Sequence, residues 1–361
     1  MVMREAPGIR RTHVLGRGQY DNKGEEVNVG TISKVLPFDE TKYEPNRLGL
    51  SKWLFDPENP LTARVAVNRY WQMIFGTGIV ATTEDFGNQG SLPSHPELLD
   101  WLAEEFRNSG WDVRSLIRLM VTSATYKQSS KITESCLAID PENKWLSRGP
   151  SYRWQAEFVR DNALAASGLL YDKVGGKSSR PYQPEGLWLE KGNFSQALFT
   201  FKKDSGKDQY RRSMYTFIRR TSPPPFMTIF DAPSRDVCTV RRERTNTPLQ
   251  ALVLLNDPQF VEASKALACR ISENLSDNFE NKIRKGYLLA LTREPNYQEI
   301  SIMKDLYNDQ LNHFNRNQKE VVKFLNIGDF KIPDNLDKTE IAALSVACNT
   351  LFNMDEVYTK R

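Results

Sequence analysis

Metal and redox chemistry have little to work with in this sequence. It holds four cysteines and three histidines in 361 residues. Cys136, Cys238, Cys269 and Cys348 form no C-x-x-C pair, which excludes a zinc ribbon, a thioredoxin-like dithiol and a C-x-x-C-H haem attachment within the chain. Their positions are compatible with two disulfides and equally with four buried thiols. His13, His95 and His313 stand at no i, i+3 or i, i+4 spacing, so there is no local metal motif. A phosphate loop, a G-x-G-x-x-G fingerprint and a G-x-S-x-G nucleophile elbow are absent as well. No apolar run approaches the roughly 18 residues of a membrane span. The opening MVMREAPGIRRTH lacks an apolar core and is not a signal peptide. It reads like the interior of a protein, so the chain is expected to be the C-terminal piece of a longer one.

Composition is otherwise that of a globular protein, with 39% apolar and 26% charged residues. Seven Trp, thirteen Tyr and eighteen Phe supply the bulk for a sizeable core. The net charge of +4 is small for this length and calls for no nucleic-acid partner.

Residues 1–45 differ from the rest. THVL and VNVGTISKVL are β-prone and punctuated by Gly16, Gly18, Gly24 and Gly30, which predicts an extended arm with a short hairpin. From residue 46 onward helix starts recur, and the fold class read from them is mainly α, an irregular multi-helix domain over 46–361. Asn59-Pro60 places a cap before a proline. Ser94 with Glu97 fits a capping box, followed by a stripe of Leu98, Leu102 and Phe106. Asp112 precedes Val113, Leu116, Ile117 and Met120. Thr247-Pro248-Leu249-Gln250, Asn256-Asp257-Pro258 and Asp337 with Glu340 are further starts, and Leu252, Leu255 and Phe260 are expected to face the core. Two stretches break the pattern, an irregular insertion at about 173–210 and a proline-studded ordered loop at about 221–247. Long loops inside a compact domain are usually functional or disordered.

The second stretch adjoins the strongest local feature. Between Arg211 and Arg244 lie eight arginines (211, 212, 219, 220, 235, 241, 242 and 244) against three acids (Asp231, Asp236 and Glu243), a local charge of +5. The planar guanidinium grips carboxylate, sulfate or phosphate with two parallel hydrogen bonds, so one reading is an anion site. The other is that these side chains brace a loop whose backbone groups need partners. Asn246 is a turn residue at the following helix or a polar group aimed into the same site. His95, in the first turn of a helix, either reaches a ligand or packs on its neighbour. Glu84-Asp85-Phe86-Gly87 spells the kinase D-F-G without the accompanying catalytic or Gly-rich loops, so it is read as a turn. Asp85 stays a candidate polar group. Tyr70, Trp71 and Phe75 interleave with Arg64 and Arg69, as core residues or as a stacking surface for sugars or bases.

The runs NRLGLSKWLFDPENPLTARVAVNRYWQMIFGTGIVATTEDFGNQGSLPSHPELLDWLAEEF, RRSMYTFIRRTSPPPFMTIFDAPSRDVCTVRRERTNTPLQALVLLNDPQF and AALSVACNTLFNMDEVYTKR, taken in order, resemble the planctomycete-type domain of unknown function 1553 family. The resemblance extends over nearly the whole chain and supplies no established catalytic residues. It implies the C-terminal part of a large exported protein, periplasmic or secreted. Upstream domains of the same polypeptide would be partners, one of them cytochrome-c-like and carrying haem c; the present chain has no cofactor of its own. It also implies a setting of anionic, sulfated polysaccharide use. Three functions follow as expectations. The first is a binding or accessory domain for anionic polysaccharide, using Arg219, Arg220, Arg235, Arg241, Arg242, Arg244 and Asn246, with His95 and Asp85 as further candidates. The second is an enzyme domain, haem-linked or glycan-cleaving, with Asp231, Asp236 or Glu243 as acid or base. The third is a scaffold for the upstream domains.

Overall fold

Helices begin close to most of the predicted starts, though not always through the predicted side chain. The computed structural model describes residues 8, 11–189, 201–274 and 278–361. Among these residues it has fourteen α-helices and two two-stranded sheets. The mainly α class and the β-prone arm are as expected from sequence. Contacts divide the chain into two compact units, Met1–Gly149 and Pro150–Arg361. That boundary falls inside the stretch 46–361 read from sequence as one domain.

In the first unit, β1 (Thr12–Leu15) and β2 (Lys23–Val27) form an exposed antiparallel hairpin. The end of the arm is tied to α1 (Arg47–Leu54) by two buried aromatics. Trp53 Nε1 donates to the Leu36 carbonyl at 2.9 Å, and the Tyr43 hydroxyl donates to Asp56 at 2.6 Å. Helices α2 (Thr62–Phe75), α3 (Pro96–Asn108) and α4 (Val113–Thr122) enclose a core of Val67, Trp71, Phe75, Leu102, Phe106 and Met120. Trp71 and Phe75 stack within it at 4.0 Å, so these aromatics are core. The short α5 (Glu134–Ile139) follows.

The second unit runs β3 (Tyr152–Arg153), α6 (Ala156–Ser167), α7 (Pro225–Ile229), α8 (Pro248–Asn256), α9 (Pro258–Ile271), α10 (Phe279–Leu291), α11 (Tyr297–Arg316), α12 (Gln318–Leu325), α13 (Lys338–Phe352), α14 (Asp355–Tyr358) and β4 (Thr359–Lys360). β4 returns antiparallel to β3. Helix α9 is the centre, buried along all its length except Pro258 and Arg270, with α13, α6, α8 and α10 against it. Small residues at Ala263, Ala266 and Ala268 let neighbours approach, and Phe260, Leu267 and Ile271 fill the gaps. The loop 221–247 is interrupted by α7, whose Phe226 and Met227 enter this core. Of the insertion 173–210, residues 190–200 lie outside the described ones. All four cysteines are free thiols, with Cys269 and Cys348 buried. Burial pushes the Cys269 thiol up to about 11.

The caps show where local reading succeeds. Asp112, Asp257 and Asp337 each accept from backbone amides of the helices they precede. Asn59 does so two residues early, taking the amides of Leu61 and Thr62 at 3.0 and 3.2 Å. Ser94 does not cap α3. Its hydroxyl engages His95 and the Ile79 carbonyl, so the expected box is not formed. Thr247 gives α8 no side-chain cap either, although Pro248 starts the helix.

Helix α8 inverts the usual partition. Leu249, Leu252 and Leu255 are 57%, 56% and 41% exposed, while Gln250 is buried beside Leu254. Leu252 and Leu255 are therefore not core-facing as the apolar spacing suggests; Phe260, on α9, is. The reason is that Gln250 Nε2 donates to the carbonyls of Ile229 and Thr245, which turns the polar edge of α8 inward.

Leu254→Ala is expected to cost about 2–5 kcal/mol of stability. Leu252→Ser should stay within about 0.5 kcal/mol. Urea unfolding of the two variants checks this, and comparable losses would contradict the inverted helix. A second expectation concerns Asp257, whose carboxyl is pushed above its ordinary value of 3.8 by burial. Above 3.8 the folded state then holds more protons than the unfolded one, so this group makes stability fall as pH rises. Asp257→Asn removes the titration and keeps a capping side chain. Relative to the parent, the variant should gain stability as pH is raised from about 4, read from unfolding midpoints across pH.

Candidate functional site

One ion pair pins both ends of the loop that follows α7. Arg153, at the end of β3, has a side chain 8% exposed and donates through Nη2 to the Asp231 carboxylate. Its Nε donates to the Thr245 carbonyl at 3.0 Å, and its Nη1 donates to the carbonyls of Trp154 and Phe230 at 2.9 and 3.3 Å. Asp231 also accepts from the Thr245 amide at 2.8 Å and from its hydroxyl at 2.9 Å. The backbone of Asp231 lies in the left-handed region at φ 58°, where Asp and Asn are among the few side chains that sit readily. Burial pulls the Arg153 pKa down, and Asp231 opposes that. Arg153 and Thr245, far apart in sequence, thus converge on one carboxylate.

The arginines of the loop take varied partners. Glu157, in the first turn of α6, is gripped by both amino groups of Arg242 at 2.7 and 3.2 Å, and Arg235 approaches it at 3.7 Å. Two guanidinium groups therefore share one carboxylate, and a positive charge is left over. Arg244 lies over the Tyr152 ring at 4.4 Å, and burial lowers its pKa. Arg241, Glu243 and Asn246 are exposed. Arg220 is exposed and stands 3.9 Å from Asp236.

Elsewhere in the cluster, bracing is the role. Arg211 is buried and donates to the carbonyls of Lys173, Gly175 and Lys177. Arg212 pairs with Asp172 at 2.6 Å. Arg219 lies over the Trp188 ring at 5.1 Å and donates to its carbonyl. The three candidate acid–base groups stand apart in their surroundings: Asp231 engages Arg153 and Thr245, Asp236 lies near Arg220, and Glu243 is exposed. Asp231 has its oxygens occupied by structural donors, a poor arrangement for proton transfer.

His95 and Asp85 belong to the first unit, the arginine loop to the second. His95 bonds Ser94 at 2.9 Å and meets the Trp145 ring edge-on. Asp85 accepts from the Gly87 amide, the turn expected for this segment. Among the described residues no three His, Cys, Asp or Glu side chains gather in a way that would hold a metal ion, and no helix is long and apolar enough to cross a membrane.

What sequence reasoning missed is an aromatic row beside the loop. The rings of Tyr152 and Trp154 meet edge to face at 5.7 Å, and those of Trp154 and Phe158 at 5.8 Å. Phe158 is 47% exposed. Trp154 and Phe158 wall a groove of about 730 Å³, shared with Asn162, Arg293, Glu356 and Lys360. Arg293 is held by Glu299 and Glu356 at 2.6 Å each. The row has a mixed pattern, one turn of α6 preceded by a strand, so no single periodicity marks it. Arg153 and Glu157 were equally hidden, because their partners lie about 80 residues downstream.

Asp231→Asn keeps a residue tolerant of the left-handed backbone but leaves Arg153 buried without its counter-charge. A loss of about 3 kcal/mol is expected, at the low end for breaking a buried pair. Thermal unfolding reads it, and a change under about 0.5 kcal/mol would show that the pair does not hold the loop.

No curated protein and no solved structure matches the chain. A family model described as "Protein of unknown function (DUF1553)" matches residues 46–307, from the start of α1 into α11. That span covers well over half of the chain and includes the arginine loop, the aromatic row and helix α9, so the chain belongs to the DUF1553 family.

Proposed function

We propose that the second unit binds an anionic polysaccharide, one bearing sulfate groups, along the arginine loop and the adjoining aromatic row. The observation that supports this reading is the continuity of the two. Arg244 lies on Tyr152, whose ring meets Trp154 and then Phe158, while Arg235 and Arg242 rest on Glu157, the neighbour of Phe158 on α6. Aromatic faces suit the C–H faces of sugar rings, and guanidinium forks suit sulfate. The shared carboxylate holds two guanidinia in place in advance, which lowers the cost of ordering them on binding. In this reading the domain is the accessory part of an exported protein, periplasmic or secreted. Upstream domains of the same polypeptide are its partners, and haem c, where present, is theirs.

Titration of the full chain with a sulfated polysaccharide and its desulfated form tests the proposal. Preference for the sulfated form is expected, weakening as salt is raised. Arg235→Gln with Arg244→Gln should lower the affinity about tenfold or more, at about 1.4 kcal/mol per tenfold. Equal, negligible binding to both polymers would refute it.

A scaffold role is the second reading, and the leucine edge of α8 is the observation that favours it. An exposed apolar row of this kind is a common feature of protein–protein contacts. Replacing Leu249, Leu252 and Leu255 together by Ser should then release the domain from its neighbours in the full polypeptide, measured by limited proteolysis.

A further inference from the structure

A second cavity lies away from the arginine loop, against α9 and the segment after α12. Its volume is about 410 Å³, inside the roughly 300–1,000 Å³ range of small-molecule sites. Leu164, Pro181, Pro258, Ile327 and the Tyr182 ring give it apolar wall, and Glu262, Asp329, Lys203, Gln209 and Tyr210 give it polar groups.

Glu262 is the unusual member. It is 5% exposed, in the middle of the buried helix. The Tyr210 hydroxyl and the amides of Asp329 and Phe330 all donate to its Oε1, from Tyr210 at 2.8 Å and from Phe330 at 2.6 Å. Oε2 receives none of the three, and Glu262 is part of the cavity wall. Gly328 makes this close approach feasible: its φ is 77°, and a Cβ there would come within 2.4 Å of the Glu262 carboxyl carbon. Burial, with Glu262 beside it, keeps the Tyr210 phenol far above its ordinary pKa, so Tyr210 remains a donor.

The cations around the cavity are already engaged. Lys203 donates to both oxygens of Asp329 at 2.8 Å. Arg160 is buried and donates to Gln259, to the Ser213 hydroxyl and to the carbonyls of Gln209 and Arg211. Lys265, one turn along α9, donates to the carbonyls of Leu325 and Ile327. Capacity remains at the Glu262 Oε2 acceptor and at the hydroxyl of Tyr182. An anion entering here would meet two carboxylates with no uncommitted guanidinium or ammonium. A cation would meet three positive side chains close by. A ligand that donates hydrogen bonds without charge, and has apolar faces for the Tyr182 ring and the prolines, satisfies both constraints.

We propose that this cavity binds a neutral, hydroxyl-rich ring, the chemistry of an uncharged sugar unit, with Glu262 Oε2 and the Tyr182 hydroxyl taking ligand hydroxyls. This site does not depend on the anionic-polysaccharide reading of the arginine loop. Glu262→Gln is the incisive variant. The amide oxygen can keep accepting from Tyr210 and the two backbone amides, while the other acceptor becomes a donor. Tyr182→Phe removes the other group.

Calorimetric titration of the full chain with maltose, cellobiose, lactose and methyl mannoside, and with glucose 6-sulfate and putrescine as charged controls, tests the proposal. Binding of at least one neutral sugar is expected at millimolar concentration or below, and loss of about tenfold or more in affinity for it in both variants. The thermal midpoint of Tyr182→Phe should match the parent, which separates lost binding from lost folding. Absence of binding by all four neutral sugars, preference for putrescine or the sulfate ester, or affinities unmoved by both variants would overturn it. Arg235→Gln with Arg244→Gln should leave this binding unchanged, and Tyr182→Phe should leave sulfated-polymer binding unchanged, so either proposal can fail alone.

Discussion

The burial of α9 is the constraint around which the second unit is arranged. A helix enclosed on nearly every side must satisfy each polar group it carries, since an unpaired charge in the interior costs several kcal/mol. Glu262 and Lys265 sit in its middle, and each is answered by backbone rather than by an opposite side chain alone. Glu262 collects the amides of Asp329 and Phe330, and Lys265 the carbonyls of Leu325 and Ile327. The end of α12 and the irregular segment 326–330 that follows it are thereby shaped by the two charges of α9. Arg160 on α6 does the same for residues 209–213. Glu262 spends one carboxylate oxygen on Tyr210 and the loop amides, and the same residue lines the α9 cavity.

The arginine loop obeys that rule with the opposite balance. Arg153 and Arg211 are spent on carbonyls and a carboxylate, and they turn long stretches of irregular chain into fixed structure. Arg235 and Arg242 share Glu157, so bracing does not exhaust their charge. One surface is thus basic and lined by aromatics, and the α9 cavity presents carboxylate and hydroxyl groups. These two chemistries favour different ligands, which is why the two proposals stand apart.

Local chemistry was legible where a side chain acts on its own helix. Asp112, Asp257 and Asp337 cap as their positions suggest, because the amides they serve are two or three residues away. Ser94 shows the limit: its hydroxyl found the Ile79 carbonyl and the adjacent His95 instead, and the Ile79 carbonyl, fifteen residues away, is a competitor that local sequence does not show. Helix α8 shows a second limit. Its leucines look like core by composition, but two carbonyls needing the Gln250 amide decide which edge faces inward. The arginine cluster was visible as a charge excess, whereas Glu157, Arg153 and the Tyr152–Trp154–Phe158 row were not, since their meaning lies in partners brought from elsewhere.

By itself the sequence determined the mainly helical class, most helix starts, the hairpin arm and the absence of local haem and metal motifs, since all of these rest on residues within a turn or two of each other. Only the tertiary structure decided that the chain divides after Gly149, that Asp231 is a structural clamp, that α8 turns its leucines outward, and that Glu262 lines a cavity. The physical reason is common to all four. A buried polar group must find a partner, and when that partner is distant along the chain, the choice among candidates is made by packing.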